Sequence, residues 1–117
     1  MTTTEHKHLT IPAGLSKDGK RAAKIISNYL IKSELLWAES DLFMDPKEWS
    51  DRGEDYGDGS VLILLHETGD AGEALSYDKA AYAPRPYHHL EELRKRLAEA
   101  GLFSEQMHSW SSAVYVN

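Results

Sequence analysis

The chain has no cysteine, so disulfides, thiolate zinc sites, iron–sulfur clusters and nucleophilic thiols are excluded by inventory. Histidine and carboxylates are left as metal ligands, and the lack of thiols fits a reducing, cytoplasmic setting. Long hydrophobic runs are missing too. The longest, Val61 to Leu65, is five residues, where a bilayer-spanning helix needs about 20. Residues 1–8 hold no apolar stretch of signal-peptide length, so neither export by a visible signal nor a membrane partner is expected. Positive charge is also in deficit: the net charge is −6, whereas general nucleic-acid binders are basic overall. Nucleic acid is therefore not the expected partner.

What is present suffices for one folded domain. A chain of 117 residues buries roughly two-thirds of the surface exposed by its unfolded form, and a hydrophobic fraction of 41% supplies one core. Residues 1–117 are read as a single domain, with 1–7 a disordered tail. Charge is unevenly spread along it. Residues 1–38 sum to +3, residues 39–58 to −6 and residues 59–117 to −3, so the acidity is concentrated in the middle.

Periodicity places two amphipathic helices. A helix over 16–36, with Ser16 suited to the N-cap, gathers Ala22, Ile25, Ile26, Tyr29, Leu30, Leu36 and Trp37 on one face. Lys17, Lys20, Arg21, Lys24 and Lys32 fall opposite, and this basic face reads as a solvated surface rather than a phosphate-binding stripe. The second helix opens at Pro86, buries Leu90, Leu93, Leu97 and Ala100, sets Glu91 and Glu92 four residues before Lys95 and Arg96, and stops at Gly101. Val61-Leu62-Ile63-Leu64-Leu65 has the continuous apolar pattern of a central strand buried on both faces. Elsewhere the signals are weaker: an edge strand at 8–11, strand within 35–43, a long loop reaching Gly59, either a turn and short strand or irregular chain between Thr68 and Ala83, and strand over 103–108 and 112–116. The expected fold is α+β, a two-layer sandwich with two amphipathic helices packed on one face of a small, mainly antiparallel sheet.

Candidate chemistry begins with the acidic run from Asp51 to Gly59. A calcium loop of the EF-hand kind fails in both registers: Gly59 at position 6 puts Tyr56 at position 3 and Leu65 at 12, and Gly57 there puts Arg52 at position 1. Closely spaced carboxylates interleaved with aromatic rings do suit docking of a basic partner by electrostatic steering. The candidate binding residues are Asp45, Trp49, Asp51, Glu54, Asp55, Tyr56 and Asp58. Six histidines raise a second possibility, a metal site drawn from His66, Glu67, His88 and His108, although no His-Glu-x-x-His or comparable spacing supports it. Ser109, Ser111 and Ser112 lie near His108 in sequence, but no Gly-x-Ser-x-Gly elbow and no phosphate loop is present.

These features describe a non-enzymatic accessory or binding protein that engages another protein, or a second copy of itself, through the acidic, aromatic-bearing segment, without a cofactor. The alternative is a small metal-assisted hydrolase or isomerase built on the histidine and carboxylate cluster.

Overall fold

The computed structural model describes residues 11–35, 42–66 and 72–117. The 1–7 tail and residues 8–10 of the expected edge strand lie outside them, as do Leu36, Trp37 and Glu67, and Ile11 is in coil. Helix α1 spans Lys17–Lys32, with the Ser16 hydroxyl accepting from the Gly19 amide at 3.1 Å and Asp18 paired to Arg21 at 2.9 Å. Its buried stripe is Ala22, Ala23, Ile26, Tyr29 and Leu30. Gly19 is also buried, and a Cβ there would strike the Val61 carbonyl, so the close approach of α1 to that carbonyl requires glycine. The helix ends before the expected position 36: Glu34 takes a left-handed φ of 57° that turns the chain away.

Strand β1 (Phe43–Met44) is followed by helix α2 (Pro46–Asp51), inside the stretch expected to be loop. Six residues are too few to show a helical period, yet Asp45 caps the element by accepting from the Lys47 amide at 2.9 Å, and Pro46 preorganises its first turn. Strand β2 (Leu62–Leu65) is the apolar run. The turn and strand expected between Thr68 and Ala83 are replaced, over the described residues, by helices α3 (Gly72–Leu75) and α4 (Tyr77–Ala81). Ala74, Leu75 and Ala80 of these helices are buried, so packing against neighbours, not a local sequence signal, sets the helical conformation here.

Helix α5 runs His88–Glu99, starting two residues after Pro86 because Tyr87 is left-handed at φ 64°. Gly101, at φ 76°, ends it as expected and leads into the hairpin of β3 (Leu102–His108) and β4 (Ser111–Val116).

The sheet is antiparallel throughout, in the order β1-β2-β4-β3, so β2 is an interior strand. Alternation divides its side chains between two faces. Leu62, Leu64, Val114, Leu102 and Phe43 meet Ile26, Leu30, Leu93 and Leu97 of α1 and α5 in the main core. The fold is thus the expected α+β sandwich, enlarged by α3 and α4, which accompany α5. The other face carries a smaller cluster in which Trp49 of α2 covers Ile63 and Ala113. No helix among the described residues is long and apolar enough to cross a membrane.

Candidate functional site

The acidic segment is folded onto that second face. Trp49 is only 1% exposed, and its indole N–H donates to the Tyr56 carbonyl at 3.2 Å, tying α2 to the loop that follows. Gly53, Tyr56, Gly57 and Gly59 all take positive φ values, from 69° to 84°, which coils the loop tightly. At Gly57 a Cβ would stand 3.2 Å from the Trp49 indole nitrogen and 3.3 Å from the Ile63 Cδ1, so the loop lies directly on the cluster. Tyr56, the one residue of the four with a side chain, tolerates a conformation that costs on the order of 1 kcal/mol or more. Its ring is 67% exposed.

An aromatic group extends from this loop to the hairpin. His108 stacks on Trp110 with ring centroids 4.9 Å apart and planes within 5°. Trp49 lies 5.6 Å from Trp110, and Tyr56 sits edge-on to His108 at 5.7 Å. The register shift between Gln106 and His108 makes this possible. A bulge re-aims side chains, and here Met107 packs against the Trp49 cluster while His108, beside it, stacks on Trp110. The Arg52 guanidinium lies 5.5 Å above the Trp49 ring and pairs with Glu54 at 2.8 Å. Asp51, Asp55 and Asp58 are exposed and form no ion pair among the described residues. Further along, Phe103 stacks on Tyr115 at 5.2 Å. Burial raises the Tyr115 pKa, and the charges of Glu105 and Asp58 raise it further.

The candidate binding residues therefore divide by role. Asp51, Asp55, Tyr56 and Asp58 face solvent, and Glu54 is half-buried with its charge engaged by Arg52. Asp45 is occupied as a helix cap, and Trp49 is an internal anchor rather than a surface ring. Sequence reading missed Met107, His108 and Trp110 as neighbours of this segment. The alternation of Phe103, Glu105 and Met107 with Leu102, Ser104 and Gln106 was the available signal.

The residues of the alternative metal site are scattered. His66 is fully buried on the helix side, its Nε2 2.9 Å from the Ser112 hydroxyl, which itself donates to the Leu75 carbonyl at 3.3 Å. With the hydroxyl hydrogen directed at Leu75, the Ser112 oxygen is free to accept from Nε2, and Nδ1 has no side-chain or backbone partner from another residue among those described. Burial pulls its pKa down to about 4, and the neighbouring Lys79 charge acts in the same direction. His88 adjoins His89, with rings 5.1 Å apart, at the start of α5. There a cleft of about 460 Å³ is lined by both imidazoles with Glu34, Glu73 and Arg85. His89 Nδ1 lies 2.8 Å from the Tyr29 hydroxyl, and burial, reinforced by His88, lowers its pKa. His108 is on the opposite face of the sheet, against Trp110 and Trp49. Among the described residues no three His, Asp or Glu are grouped to hold a metal ion.

Compared with protein-family models, curated proteins and solved structures, the chain matches none.

Proposed function

We propose that this protein is a non-enzymatic accessory domain that docks a basic segment of a partner protein on the acidic, aromatic surface formed by residues 51–58 and the adjoining hairpin. The absence of cysteine suits action in a reducing compartment such as the cytoplasm. One observation carries the reading. A strained, tightly coiled loop is anchored on Trp49 so that the Tyr56 ring and the carboxylates of Asp51, Asp55 and Asp58 stand in water, the three charges unpaired among the described residues and next to aromatic rings. A solubilising loop needs neither the anchor nor the positive φ at Tyr56. Fixed carboxylates beside exposed rings are complementary to Arg and Lys, through charge and through cation–π contact.

The test is to replace Asp51, Asp55 and Asp58 with Asn while leaving the Arg52–Glu54 pair in place. These side chains are exposed, so the melting temperature should stay within a few degrees. Partners recovered from an extract by the natural chain should be lost by the variant and by the natural chain in high salt. Recovery that ignores both changes would exclude this surface.

A further inference from the structure

Strand β3 is an edge of the sheet, and no strand among the described residues pairs with its outer side. The direction of its backbone groups follows from two bonds. The Asn117 amide donates to the Gly101 carbonyl, and the Val114 carbonyl, opposite Ser104, accepts from Val61 on the β2 side. Inward bonding therefore belongs to Gly101, Phe103 and Glu105. The amides and carbonyls of Leu102, Ser104 and Gln106 point outward, ready to pair with a further strand. Ahead of the bulge between Gln106 and His108, Leu102 to Gln106 form a regular edge, and this stretch carries neither Lys nor Pro, the residues that commonly block such pairing.

The two sides of this edge differ in chemistry. Towards the second face stand Phe103, 40% exposed and stacked on Tyr115, and the exposed carboxylate of Glu105. Towards the helices, an open depression of about 650 Å³ runs along Ser104 to Ser109 and is rimmed by Tyr77 and Arg94. Arg94 is held over the Tyr77 ring at 4.7 Å and donates to its hydroxyl, so a fixed cation borders that side. Each added residue would point alternately to one side or the other.

We propose that β3 receives an extended segment of the partner protein by strand addition, the segment presenting Lys or Arg towards Glu105 and small polar side chains towards Arg94. This rests on the docking function inferred above and specifies its geometry. Main-chain pairing supplies affinity, and the alternating side chains supply selection.

The probe is a blocked seven-residue peptide alternating threonine and lysine, compared with its threonine–glutamate counterpart. Adding the lysine peptide should shift the amide resonances of Ser104 and Gln106 and slow their hydrogen exchange, with affinity roughly tenfold or more above that of the glutamate peptide. The exposed substitution Glu105→Lys, which leaves the backbone intact, should narrow or invert that preference. Ser104→Pro, which removes an outward amide from the strand and no inward one, should abolish both responses. Amides of Ser104 and Gln106 that stay unshifted at millimolar peptide would overturn the proposal, as would protection of both in the free protein together with a dimeric mass, because a second copy then holds the edge. Failure here is distinct from failure of the docking surface. A partner still captured by Ser104→Pro but lost by the Asp51, Asp55 and Asp58 variant removes strand addition alone, whereas a partner captured by both variants removes the surface.

Discussion

His66 shows how one buried imidazole ties the fold to pH. Its pKa is pulled down to about 4 from an ordinary value of 6.5 by burial, so the unfolded chain takes up this proton first as pH falls. The stabilisation from keeping the ring neutral is complete above about pH 6.5 and is lost between about 6.5 and 4, a span worth roughly 3 kcal/mol. His89 is shifted in the same direction and adds to the slope. Urea midpoints at pH 7.5 and 4.5 should therefore differ clearly in the natural chain and less in His66→Asn; equal differences in the two would assign the slope elsewhere. The glycines of the acidic loop make a second residue-scale case. Gly53, Gly57 and Gly59 share a positive φ, but only Gly57 faces close neighbours. Alanine at Gly53 or Gly59 should cost about 1–2 kcal/mol from backbone conformation alone. Alanine at Gly57 must also displace Trp49 or Ile63, and its thermal unfolding should fall measurably below both; three equal losses would mean the loop is not seated on the cluster.

Among the elements, legibility followed length and period. Helix α5 declared itself through Leu90, Leu93 and Leu97 and the stop at Gly101, and β2 through an unbroken apolar run. Helix α2 has one buried residue, Trp49, and no period to detect, while α3 and α4 are so short that only their burial against neighbours explains them. The candidate surface was half legible for a related reason. Composition exposed the carboxylates, but their aromatic neighbours arrive from a hairpin more than 40 residues later, brought close by sheet order and a bulge. The weight placed on Trp49 has a direct consequence. It is the sole buried residue of α2, its ring spans the sheet cluster, and its indole holds the loop. Trp49→Ala should lower stability by about 3–5 kcal/mol, and Trp49→Phe, which keeps most of the packing and loses the bond to Tyr56, by appreciably less. Chemical denaturation separates the two, and a near-neutral Trp49→Ala would mean that α2 does not anchor on the sheet.

At the scale of the molecule, the two faces of the sheet are covered very unequally. One lies beneath α1 and α5, and the other beneath a six-residue helix and a glycine-rich loop. Stability should be graded accordingly, since local opening is easiest where few apolar contacts are buried. The amides of Leu64 and Val114 point into the ladder between the two inner strands, at fully buried positions, and should exchange only when the whole chain unfolds. Those of Ser104 and Gln106, on the open edge, should exchange fastest within the sheet, and the Tyr56 to Gly59 segment should fall near the same end of the scale. Because α2 rests on one tryptophan, Trp49→Ala should speed exchange in α2 and its loop far more than in α5. Uniform acceleration across α2, α5 and the sheet would instead mean that both faces unfold as one unit, and that the acidic face has no conformational freedom of its own.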